Sequence, residues 1–89
     1  MAKVLVAIKI YPANVDIDLN QLQQKIRQIL PKEANVQNFK TEPVAFGLNT
    51  LTVHILIPEQ KAGILQKIET QLQNLEEISQ IQTLTATRI

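Results

Sequence analysis

The sequence has no cysteine, no tryptophan and a single histidine, and aromatic residues make up 3% of it. Without cysteine there is no disulfide frame, no thiolate zinc site and no thiol nucleophile. With one histidine, most acid–base and nucleophilic constellations are also missing. The two glycines, Gly47 and Gly63, stand alone, so there is no glycine-rich loop to cradle a phosphate. Neither sign of charge is in excess. Nine basic residues against eight acidic ones leave a net charge of +1, which argues against a protein held on nucleic acid by a field of phosphate contacts. No apolar run approaches the ~20 residues needed to cross a bilayer. The apolar start, residues 1–10, is interrupted by Lys9 and alternates like a strand, unlike the uncharged core of a secretion signal. These absences point to a cytoplasmic protein without catalytic groups, metal or cofactor, whose function comes from shape and a few contacts.

What is present is the composition of a globular domain. The 89 residues are 45% hydrophobic and 19% charged, which predicts one domain over residues 1–89. A chain of this length buries roughly 60–65% of its unfolded surface, enough for one modest core. Residues 3–11 alternate, with Val4, Val6, Ile8 and Ile10 on one side, which predicts a strand closed by Pro12-Ala13-Asn14. Asp18 and Gln21 have the form of a capping box. The helix that follows carries Leu19, Leu22, Ile26, Ile29 and Leu30 on one face and ends at Pro31. In residues 35–46, Val36 and Phe39 suggest a strand of broken alternation. Pro43 cannot donate a ladder hydrogen bond and assigns that strand to a sheet edge. Residues 48–57 alternate cleanly, with Leu51, Val53, Ile55 and Ile57 on one face. Ile64, Leu65, Ile68, Leu72 and Leu75 form a second helical stripe, and the threonine-rich stretch from Ile81 to Ile89 reads as a last strand whose inward face is ambiguous.

The order strand, helix, strand, strand, helix, strand predicts an α+β, ferredoxin-like βαββαβ sandwich: a four-stranded antiparallel sheet with two helices on one face. Residues 3–11 and 48–57 should be central, and the proline-containing segment and the tail should be the edges. On the uncovered face the expected residues are Lys3, Ala7, Lys9, Thr50, Thr52 and His54, with Tyr11 near one end. That set lacks the aromatic platforms of an RNA-reading sheet. His54 reads as structural, and Asp16 and Asp18 read as helix entry and capping in preference to a metal pair.

The stretch Glu42-Pro43-Val44-Ala45-Phe46-Gly47-Leu48 is the most informative. It breaks the alternation and sets an aromatic side chain beside a glycine that permits positive φ and close backbone approach. Phe46 is open to two readings, an apolar knob for a partner's pocket or a side chain folded back at a β-bulge. This stretch resembles the signature of archaeal elongation factor 1-beta, the guanine-nucleotide exchange factor family for elongation factor 1-alpha. Val15-Asp16-Ile17-Asp18-Leu19, Pro58-Glu59-Gln60 and the end Thr87-Arg88-Ile89 extend the resemblance over nearly the whole chain. Lys61-Ala62-Gly63 is similar to a Lys-x-Gly of the eukaryotic exchange domains.

The resemblance implies the sandwich fold and a partner, the GDP-bound GTPase elongation factor 1-alpha, bound along an edge that touches its nucleotide domain and a neighbouring domain. It implies contacts from Ala45, Phe46 and Gly47, from Lys61 and Gly63, and from Arg88 and Ile89. No covalent step, direct nucleic-acid contact or membrane contact is implied. In eukaryotic relatives a lysine at the place of Arg88 reaches towards the Mg²⁺ site. Arginine is a planar fork where lysine is a point charge, so Arg88 is open to two readings, a partner for a carboxylate or phosphate in place of direct metal displacement, or an ordinary solvated terminal charge. Glu76-Glu77-Ile78 departs from a glycine usual in archaeal relatives, so the turn before the last strand should be built differently. A small-molecule-sensing regulatory module of the same fold, pairing through sheet edges, is the alternative, and a structural RNA-associated protein is a third reading.

Overall fold

The computed structural model describes residues 3–44, 47–59 and 63–89. The elements are β1 (Lys3–Pro12), α1 (Leu19–Ile29), β2 (Asn35–Pro43), β3 (Asn49–Pro58), α2 (Ile64–Gln73) and β4 (Ile78–Arg88). All strand pairs are antiparallel, and the sheet order is β2-β3-β1-β4. The two strands of cleanest alternation are therefore central, and the proline-bearing strand and the threonine-rich strand are the edges. β1 and β3 run within a residue or so of their expected bounds; β2 ends at Pro43, three residues before the expected 46, and β4 starts three residues earlier than the expected Ile81.

One face of the sheet carries the core. Val6, Ile8 and Ile10 of β1 pack with Leu51, Val53, Ile55 and Ile57 of β3 in a single buried cluster. Leu22 and Ile26 of α1, together with Ile64, Ile68 and Leu72 of α2, close it from above. Both helices thus cover the same face. A period-two strand stripe laid against helical stripes of period 3.6 produces this arrangement. Asp18 caps α1 as expected, its carboxylate accepting from the amides of Asn20 at 2.9 Å and Gln21 at 3.3 Å. Arg27 of α1 lies over the Phe39 ring of β2, 5.1 Å from its centroid, and ties the helix to the edge strand.

The edge strands owe their irregular patterns to bulges. In β2 the register slips between Val36 and Asn38, which brings both Val36 and Phe39 to the core side. In β4 the register slips twice, at Leu84 and at Ser79. The residues facing the core side are then Ile78, Ile81, Thr83, Ala86 and Arg88, opposite Pro12, Ile10, Ile8, Val6 and Val4.

The uncovered face differs from its expected openness. Ala7, Thr50 and Thr52 lie on it by register but are buried. Thr50 donates its hydroxyl to the Glu42 carbonyl at 3.2 Å, and His54 is half-buried. Central strands are flanked on both sides, so short side chains there are shaded by the longer ones of their neighbours, such as Lys9 and Lys40 in the row of Thr52.

Candidate functional site

The residues singled out in the sequence fall at two opposite ends of the sheet. β3 connects them. It begins two residues after Gly47 and ends at Pro58, so its ten residues hold the ends roughly 30 Å apart.

At the first end, the β2–β3 connection is closed by the Val44 amide donating to the Leu48 carbonyl at 2.7 Å. Gly47 sits in that turn with φ +75°, a left-handed conformation that a side chain makes costly. A Cβ built there would meet nothing within 4 Å, so the demand for glycine is conformational. Ala45 and Phe46 lie outside the described residues. Beside this turn, Pro12, Asn14, Val15, Ile17, Leu19, Leu48 and Asn49 line a small cleft, and Val15 is 62% exposed. The turn before β4 belongs to the same end. Its Glu77 carbonyl accepts from the Ala13 amide at 2.8 Å, and its carboxylate pairs with Lys25 of α1 at 2.7 Å. The Lys25 ammonium, helped by the residue's own backbone amide, holds the Glu77 carboxyl below its ordinary pKa. The segment expected to be built without glycine is thus anchored by a carboxylate.

At the second end, β3 and β4 finish on either side of the start of β1. Pro58 pairs with Lys3, and Arg88 pairs with Val4. Ile89 continues the ladder, its amide donating to the Lys3 carbonyl at 2.9 Å and its carbonyl accepting from the Lys3 amide at 3.4 Å. Arg88 reaches over β1 and forms an ion pair with Glu59, Nε to Oε1 at 3.0 Å, with its own side chain 71% exposed. Gly63 opens α2 with φ +80°, without a side-chain cap, and its carbonyl accepts from the Lys67 amide. A groove of about 500 Å³ runs from Glu59 past Gly63 and Ile64 to Val4 and Ile57. Lys61 lies outside the described residues.

Of the expected site, then, Arg88, Ile89 and Gly63 share one end, and Gly47 belongs to the other. Glu59 is a residue that sequence reasoning did not assign to the site, although Pro58-Glu59-Gln60 was noted. Its partner lies 29 positions on, and only the two pairings of β1 bring them together. Among the described residues no group of three or more His, Asp or Glu is placed to hold a metal ion. No helix there is long and apolar enough to cross a membrane.

Comparison with known proteins adds to this geometry. Residues 5–89 match the EF-1 guanine nucleotide exchange domain. The chain is 39% identical to elongation factor 1-beta of Staphylothermus marinus over 89 residues, covering 100% of this chain and 99% of the relative. It is 37% identical to elongation factor 1-beta of Hyperthermus butylicus, covering 100% and 97%. Among solved structures, the C-terminal domain of the MgtC protein from Mycobacterium tuberculosis is similar over 94% of this chain and 86% of its own length, with a TM-score of 0.58. At 13% identity that likeness concerns the fold alone.

Proposed function

The chain belongs to the EF-1 guanine nucleotide exchange domain family and is a guanine-nucleotide exchange factor for elongation factor 1-alpha; we propose that it engages the GDP-bound GTPase with both ends of its sheet and loosens the nucleotide with Arg88. The match over residues 5–89 carries this reading. The whole of residues 1–89 acts as one exchange domain, in the cytoplasm where elongation runs, without contact to nucleic acid or membrane.

The division of labour follows from the residue types at each end. The Gly47 turn supplies the anchor. Phe46, with Ala45 and Gly47, enters an apolar pocket of the GTPase, and Gly47 supplies the left-handed turn conformation beside it. At the other end Arg88 brings a cation to the nucleotide site, with Ile89, Gly63 and Lys61 in contact beside it. Mg²⁺ in the GTPase bridges nucleotide phosphates to protein oxygens. A guanidinium placed there competes for those oxygens or for the phosphate and weakens the grip on GDP. Coupling between two ligands of one protein is reciprocal, so incoming nucleotide displaces the factor in turn. No bond is made or broken, in keeping with a chain so poor in nucleophiles. A small-molecule sensor would call for a ligand loop at a paired edge, and no observation favours it.

Stopped-flow release of fluorescent GDP from elongation factor 1-alpha tests the proposal. The intact protein should accelerate release. Phe46→Ala should raise the concentration giving half-maximal effect, by about 30-fold if Phe46 is an anchor worth 2 kcal/mol. Removal of Arg88 and Ile89 should lower the maximal rate more than it weakens association. A tail deletion that releases GDP at the full rate would remove Arg88 from the mechanism.

A further inference from the structure

We infer that Glu59 is a positioning residue for Arg88: it holds the guanidinium at Nε and so presents the terminal nitrogens to an anionic group at the GTPase's nucleotide site. The inference rests on the reading that Arg88 acts in exchange. The observation behind it is the place of contact. The ion pair is made at Nε, the inner corner of the fork, at 3.0 Å. The Arg88 side chain is otherwise largely open, 71% exposed. Guanidinium carries five N–H donors, and one of them is on Nε, so four remain for a carboxylate or phosphate.

Two features of the fold make Glu59 suited to this task. Its backbone follows directly on Pro58, which is locked into the ladder opposite Lys3, and Arg88 is locked opposite Val4. The two side chains therefore reach each other across a fixed β1. Arg88 lies on the helix-covered side of the sheet, opposite core-facing Val4, and the Glu59 carboxylate meets it at the mouth of the groove that runs to Gly63. The pair aims the fork along the end of the sheet instead of leaving a long side chain with its full rotamer freedom.

The same geometry suits arginine and not lysine. Lysine has one cationic atom. Beside Glu59 that atom would be consumed by the pair, whereas arginine has an inner nitrogen to spend on Glu59 and an outer edge for the partner. Glu59 and Arg88 thus form a matched set, and the substitution Arg88→Lys is expected to act as a loss while Glu59 is present.

The test is a mutant cycle on GDP release, read as maximal rate and half-saturating concentration separately. Glu59→Ala should lower the maximal rate roughly two- to five-fold, the range expected for an exposed pair, with little change in half-saturation. On the Arg88→Ala background, Glu59→Ala should change nothing further. Arg88→Lys should be slow, and Arg88→Lys with Glu59→Ala should be faster than Arg88→Lys alone. A purely structural Glu59 would not produce that rescue. Circular dichroism and urea unfolding establish that each variant is folded. If Arg88→Ala releases GDP like the parent, the role of Arg88 falls and the inference with it. If Arg88→Ala is slow but Glu59→Ala matches the parent, or costs as much without Arg88 as with it, the positioning role alone is overturned.

Discussion

Where β1 stops and β3 starts, several bonds tie the described residues down, some within a turn and some between distant segments, and a carboxylate is held against a helix. Val44 closes on Leu48, Ala13 on Glu77, Asp18 caps α1, and Lys25 pairs with Glu77. Where β3 and β4 finish, the ties among the described residues are the ladder bonds between Lys3 and Ile89, the Gly63–Lys67 bond that opens α2, and the exposed ion pair of Arg88 with Glu59. An exposed pair is worth about 0–1 kcal/mol, so its charges can be shared with a partner at small cost. On the proposed reading, one end anchors the partner through the Gly47 turn and the other offers it a cation. A factor that must bind firmly and also disturb a bound nucleotide needs both, and separating them by the length of a strand lets each be altered without the other.

The largest expected effect strikes what the two ends share. Ile55 is fully buried in β3, the strand that connects them. Ile55→Ala should cost about 3 kcal/mol through lost burial and the cavity left behind. That is a large part of the 5–15 kcal/mol typical of a domain. Urea unfolding should show a lower midpoint with an unchanged slope, and both binding and maximal release should suffer once the folded fraction drops. A variant that kept its midpoint would mean that the core between the ends is not the single unit described above.

The next pair of substitutions sets the ends against each other at matched cost. Gly47 and Gly63 both have positive φ, and at neither would a Cβ touch anything within 4 Å. Alanine at either should destabilise by about 1 kcal/mol from backbone conformation alone. With stability equal, the functional readouts should part. Gly47→Ala should raise the half-saturating concentration in GDP release, and Gly63→Ala should lower the maximal rate. If both variants shift the same parameter, the division of labour between the ends is wrong.

The sequence made the central strands and the helices readable because their apolar residues follow one period without interruption. It was less legible at the edges, for a physical reason. The inward residues of β4 step 78, 81, 83, 86, 88, so two bulges break the period of two and leave no consistent face to read. Gln37 does the same in β2, which is why Val36 and Phe39 stand three apart yet both pack on the core. At the candidate site, Arg88, Ile89 and Gly63 could be chosen from motif resemblance, but their neighbourhood could not. The Arg88–Glu59 pair depends on two strand registers, and no local pattern encodes a contact across β1. The turn before β4 was expected to differ for want of a glycine, but its anchoring by Lys25 is again a contact between distant segments, 52 positions apart.

The smallest expected effect belongs to that anchor and is read by pH. The Glu77 carboxyl is held below its ordinary pKa, first by the hydrogen bond from the Lys25 ammonium and then by its own backbone amide. In the unfolded chain the group has its usual affinity for protons, so across the window from the ordinary carboxylate value downward the unfolded state binds more protons than the folded one. Stability from this source is therefore fully present above the ordinary value and is lost as the pH falls through the depressed one. Glu77→Gln should flatten that acid-side decline in unfolding experiments and change stability little near neutrality, because Lys25 is about half exposed and solvent screens its ammonium. Lys25→Ala removes the larger cause and should flatten the same part of the curve. Both variants act at the Gly47 end, so the maximal rate of GDP release, assigned to Arg88 at the other end, should stay at the parent value at neutral pH. A Lys25→Ala protein that keeps the full acid-side slope would show that the ammonium does not set the Glu77 carboxyl. A fall in maximal release would show that the two ends are not independent.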